Sequence, residues 1–181
     1  MNKTTQIILA VVAVVAIVGL ILMMNLKPAS NLSVNRAEDL TVLVDQIYKG
    51  VSIEMPMLMT QELDMTDAET VKYFTGLENI DDIEYVVASE PMMSSQAYSL
   101  VLVKAKDGAD VESMKQQMLN NIDTRKWICV EAEKVYVTNY NNLICLVMSN
   151  EEAASKVHNS FKNLVNGEVG KVLVRTTSAS Q

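Results

Sequence analysis

The run from Ile7 to Met24, IILAVVAVVAIVGLILMM, holds eighteen residues without one polar side chain. No other feature constrains the chain so strongly. As a helix it would be about 27 Å long, close to the hydrocarbon thickness of a bilayer. A helix closes its own backbone hydrogen bonds, so an all-apolar one sits in lipid at no polar cost. Cleaved signal peptides have shorter apolar cores, about 7–15 residues, and a small-x-small cleavage site. Here Asn25-Leu26-Lys27-Pro28-Ala29-Ser30-Asn31 follows without a good small-x-small pair, and the first cysteine is Cys129. The expectation is an uncleaved signal-anchor over residues 1–27, single-pass in the cell membrane. Lys3 and Lys27 leave only a slight charge bias. The short N-terminal tail is therefore expected to stay inside, with the acidic remainder extracytoplasmic.

From Pro28 to Gln181 there are 154 residues, enough for one domain with a real core. That stretch carries 13 basic residues against 22 acidic ones, a net charge of −9. Phosphate backbones demand clusters of Lys and Arg, so nucleic acid is not an expected partner. Anionic head groups and acidic wall polymers would be repelled in the same way. Two cysteines, Cys129 and Cys145, make no disulfide framework. A single bridge and two small buried hydrophobes both stay open as readings.

A polar linker, residues 28–35, leads to a single α+β domain over residues 36–168. Asn35 with Glu38 three residues on resembles a capping box and opens a helix from Arg36 to Lys49. Leu40, Leu43, Val44, Ile47 and Tyr48 share one face of it, and Gly50 is the stop. A shorter helix begins at Thr66, with Glu69 in the matching position, and ends near Gly76. The period then changes. Glu84–Ala88 and Tyr98–Ala105 read as strands, the second apolar on both faces as a central strand is. A helix follows Asp107-Gly108-Ala109-Asp110, with Val111, Met114, Met118, Leu119 and Ile122 as its stripe.

Strand, strand and helix then recur. Lys134–Thr138 and Leu143–Met148 form a hairpin around Asn139-Tyr140-Asn141-Asn142, where Asn tolerates the turn conformations. Ser149 with Glu152, or Asn150 itself, caps a last helix carrying Ala154, Val157, Phe161, Leu164 and Val165, with Gly167 as stop. The expected architecture is a mainly antiparallel four-stranded sheet with both helices packed on one face. The tail, residues 169–181, holds one short strand at Val169–Val174 and frays from Thr176.

These residues carry a resemblance. It runs through the apolar N-terminal segment, Ile53-Glu54-Met55-Pro56-Met57, Tyr73-Phe74-Thr75-Gly76-Leu77, Tyr85-Val86-Val87 and Pro91-Met92-Met93. It continues through Val103-Lys104-Ala105-Lys106-Asp107-Gly108 to the closing hairpin and helix. Together, over Arg36 to Val165, they resemble a family of membrane- or lipid-anchored extracytoplasmic proteins of Gram-positive bacteria, domain of unknown function 4358. The chain departs from that pattern in having no anchoring Cys after the apolar run, and Ser99 where members often carry an acid. The resemblance implies an accessory component of an envelope system, linked in some members to acyl transfer onto cell-surface polymers. It implies no catalytic residue and no cofactor.

Chemistry of other kinds finds little support. A Ser-His-Asp or Cys-His arrangement needs a histidine base, and the one histidine, His158, falls one residue off the apolar stripe. It reads as a solvent-border residue whose change to Ala would be nearly silent. Zinc would need ligands from one His, two Cys and carboxylates. Nine acids between Glu62 and Glu90 face only Lys72, yet no Asp-x-Asp-x-Asp-Gly loop exists, so a solvated acidic surface is the reading. Met55, Met57 and Met59 alternate, with Met92 and Met93 expected nearby. Thioethers could bind copper(I), but methionine also fills gaps and adapts to apolar partners, which makes these five a candidate partner surface. The overall expectation is a non-catalytic binding or accessory module, with no metal and no cofactor. The alternative is an envelope metal handler or enzyme using the acidic and Met-rich segments.

Overall fold

A computed structural model describes residues 32–177. The Ile7–Met24 run, residues 28–31 of the 28–35 linker and residues 178–181 lie outside the described residues. Among the described residues no helix is long and apolar enough to cross a membrane.

Helix α1, Ala37–Lys49, buries Leu40, Leu43, Val44 and Ile47 on one face, as its spacing predicts. Its start differs from a capping box. Arg36 is the N-cap without a side-chain cap, and the Asp39 carboxylate accepts the Asn35 N–H at 2.9 Å instead. Helix α2 is Ala68–Thr75, capped by Asp67 rather than Thr66; Asp67 accepts the Thr70 N–H at 3.0 Å. Asp110 caps α3, Val111–Asn121, and Asn150 caps α4, Glu151–Leu164. Ser149 ends the preceding strand, so of the two caps read from the sequence the asparagine is the one used.

Six strands, not four, make the sheet. They are β1 Leu58–Glu62, β2 Ile83–Pro91, β3 Ser99–Ala105, β4 Lys134–Tyr140, β5 Leu143–Ser149 and β6 Leu173–Thr176. Their order is β1-β2-β3-β5-β4-β6, and all neighbours are antiparallel. The four inner strands are those the apolar pattern marks; of the two short edges, β6 is the expected tail strand moved from Val169–Val174 to Leu173–Thr176, and β1 was not expected. The hairpin turn is tighter than expected. Asn139 and Tyr140 still pair within the ladder, leaving Asn141 and Asn142 as the turn, with Asn141 at φ +51°. At the other end, Thr176 belongs to β6 and the Thr177 N–H bonds Glu133 O at 3.0 Å, so the sheet reaches past the expected start of fraying.

The helices do not share one face. Val86, Ala88, Val101, Val103, Val135, Ile144 and Leu146 point into one core with α2 and α3. Val87, Leu100, Leu102, Cys145 and Val147 point into another with α1 and α4. The physical reason is in the inner strands. All seven residues of β5 are buried, and β3 is apolar on both sides, so each face has to be covered. On the second face the Ser160 hydroxyl donates to Ile47 O at 2.6 Å, which ties α4 to α1.

Gly76 ends α2 in the left-handed conformation, φ +74°, and a Cβ there would lie 2.8 Å from the backbone nitrogen of Ile122. That neighbour is backbone and cannot swing aside. Gly76→Ala should therefore lower stability by about 1–3 kcal/mol, read from the urea midpoint.

Candidate functional site

Between α1 and β1 the chain passes through Val51–Met57 without regular structure, then β1 pairs with β2 in the register Leu58↔Pro91, Met59↔Glu90, Thr60↔Ser89. Opposed residues of an antiparallel ladder share a face. Glu90 follows Val86 and Ala88 by steps of two, so Met59 and Glu90 lie on the α2–α3 side. The Met92 N–H donates to Met57 O at 3.0 Å, which extends the same side by one pair.

Behind Glu90 stands Lys126. Its side chain is only 1% exposed and its ammonium pairs with the Glu90 carboxylate. The contact is ionic, without hydrogen-bond angles, and neither atom has another hydrogen-bond partner among the described residues. Three rings complete the surroundings: Nζ lies 4.7 Å from the Tyr73 centroid, 4.9 Å from Phe74 and 5.5 Å from Trp127. Burial lowers the Lys126 pKa, with Glu90 and then Asp123 pulling the other way. The Ile128 N–H donates to Ser94 O at 2.9 Å, so the segment after α3 is fastened to the segment after β2.

This bracing presents an apolar surface to solvent. Met57, Met59, Met92, Met93 and Ile128 are 75%, 53%, 62%, 68% and 66% exposed, with Tyr73 beside them at 49%. Of the five methionines read from the sequence, Met57, Met59 and Met92 share one side of the ladder, and Met93 follows Met92 just past the end of β2. Met55 does not join them. It is half-buried against the α1–α4 core and lines an open groove of about 520 Å³ with Glu54, Pro56, Tyr98, Asn150 and Glu152. The alternating triplet is split, because the segment before β1 turns Met55 inward to fill a gap on the opposite side of the sheet.

His158 requires a correction. It is 7% exposed and stacks on Tyr136 with ring centroids 4.8 Å apart and planes 10° from parallel. The residue stands one position outside the aliphatic stripe, but β4 offers an aromatic face at that point. His158→Ala should therefore cost about 1–3 kcal/mol, the range for emptying a packed site, and not be silent. Burial, and then the charge of Lys162, lower its pKa from 6.5. The folded value being below the unfolded one, its contribution is present above 6.5 and lost as pH falls through the folded value. Urea midpoints should fall on acidification below 6.5, and His158→Phe should flatten that part of the profile.

The nine acids between Glu62 and Glu90 do not converge. Asp64 and Asp67 accept from Thr66 and Thr70, which lowers both pKa values, while Glu78 pairs with Lys72 and Glu90 with Lys126. Among the described residues no group of three or more His, Cys, Asp or Glu side chains could hold a metal ion. Both cysteines are free thiols, Cys129 exposed and Cys145 buried, with burial raising the Cys145 pKa. Ser99, where the resemblance leads one to expect an acid, is fully buried and its hydroxyl has no hydrogen-bond partner among the described residues.

The sequence reading missed Lys126, Glu90, Tyr73 and Ile128 as parts of this surface. The residue types were visible in the adjacent Lys126-Trp127 and Tyr73-Phe74 pairs, a cation and three rings of the kind that meet in cation–π contacts. Nothing in the spacing brings the two pairs together, 53 positions apart. No protein-family model, no curated protein and no solved structure matches the chain.

Proposed function

We propose that this chain is a membrane-anchored extracytoplasmic binding or accessory module of a cell-envelope system. It docks a protein partner through Met57, Met59, Met92, Met93 and Ile128 and performs no catalysis itself. The observation that carries this reading is the contrast between the exposure of those side chains and the bracing beneath them. Exposed apolar patches on a folded domain mark interaction surfaces, and thioethers accommodate varied apolar partners. The split of the methionine triplet favours a contact surface over a copper(I) site. The apolar run Ile7–Met24 supports a single membrane span with the N-terminus inside, and the resemblance to domain of unknown function 4358 supports an envelope setting.

Tethering raises the effective concentration of the domain near another membrane component. Replacing Ile7–Met24 with an unrelated spanning helix should therefore preserve function in cells lacking the native protein. Deleting it at native abundance should impair function. Full complementation by the untethered domain would favour a diffusible binding protein instead.

A further inference from the structure

We infer that the outer edge of β1 accepts an added β-strand, an extended segment of a partner protein that alternates apolar and cationic side chains. This rests on the docking reading above and gives it a mode and a chemistry. The ladder phase fixes which backbone groups are on offer. Met57 and Leu63 bond β2 through Met92 N–H to Met57 O and Leu63 N–H to Val86 O, both 3.0 Å. The odd-numbered residues of β1 therefore face β2, and Leu58, Thr60 and Glu62 turn their N–H and C=O groups outward. Among the described residues no backbone hydrogen bond outside the β1–β2 ladder reaches those three.

Edge strands are ordinarily blunted by Lys, by Pro in the strand or by a bulge. Strand β1 has none of these: its residues are Leu-Met-Thr-Gln-Glu and its pairing with β2 is unbroken. The other edge strand, β6, is four residues long and includes Arg175, whose guanidinium reaches Asn120 O and Ile122 O on the α3 side.

Charge selects the occupant. From Val51 to Val71 the chain carries Glu54, Glu62, Asp64, Asp67 and Glu69 and no Lys or Arg. Glu54 and Glu62 are exposed and form no ion pair among the described residues. A second copy of this chain would bring the same acids to the same edge, so a cationic strand fits better than self-pairing. Period two assigns the sides: residues of the added strand on the α2–α3 side would lie beside Met57 and Met59, and those on the other side beside Leu58 and Glu62. Apolar side chains suit the first side and cationic ones the second, which is the alternation of an extended strand.

The test uses the full chain in detergent micelles and a fluorescein-labelled ten-residue peptide alternating valine and lysine. Binding is read by anisotropy, and protection by hydrogen exchange. The Val-Lys peptide should bind and slow exchange within Leu58–Glu62. A Val-Glu peptide, or a Val-Lys peptide N-methylated on alternate amides, should bind at least about tenfold more weakly. Thr60→Pro removes an outward N–H where an edge strand tolerates proline, and should weaken binding by a similar factor of about ten. Thr60→Val keeps that N–H, loses only the hydroxyl bond to Ser89, and should bind as the native chain does. Equal binding of the N-methylated peptide, or protection absent from Leu58–Glu62, would overturn strand addition. If the methionine surface still captures a partner in membranes while those two results hold, docking stands and only its mode is wrong.

Discussion

Lys126→Ala should lower the unfolding free energy by about 3–5 kcal/mol, the usual cost of leaving one member of a buried ion pair alone. Glu90 would lose the one cation it pairs with among the described residues, and three rings would lose the ammonium they surround. The double variant Lys126→Met with Glu90→Leu should lie far closer to the native chain. It removes both charges and keeps most of the volume, a replacement that is often neutral or stabilising. Urea unfolding of the single and double variants measures the difference directly. If both lose the same amount, the pair is not what holds the Tyr73–Trp127 cluster together.

Changing Met57, Met59, Met92 and Met93 together to Ser should weaken partner capture by at least about 100-fold, because a few apolar anchors carry most of an interface's binding energy. The fold should hardly notice, since the four side chains are 53–75% exposed and serve neither core. Co-purification from solubilised membranes reads the first effect, and the urea midpoint reads the second. Capture at native strength would place the docking surface elsewhere on the domain.

Much of this fold was legible in the sequence, and the exceptions have identifiable causes. Inner strands β3 and β5 announce themselves because burial on both faces leaves long apolar runs, and β2 and β4 because their Val and Tyr residues stand between polar turns. Strand β1 was hidden because Leu58, Met59, Thr60 and Gln61 differ too little in polarity to show the alternation of a half-buried strand. The placing of both helices of the strand–strand–helix units on one face failed, since α3 and α4 lie on opposite faces, although β3 and β5 already required cover on both. Four methionines of the candidate surface were visible through their crowding in sequence. What braces them was not: Lys126 and Glu90 meet across 36 positions, and a single chain contains no cue to that pairing. His158 was misplaced for a similar reason, since the ring it stacks on belongs to β4.

Site-specific photocrosslinking in native membranes tests directly whether the methionine edge docks a protein. A benzoylphenylalanine placed at Met93 should yield one dominant protein adduct, lost when Met57, Met59 and Met92 are changed to Ser. The same group placed at exposed Gln116, on α3, should not yield it. Absence of an adduct at Met93, or the same adduct at equal strength from Gln116, would contradict a docking surface at the methionine edge.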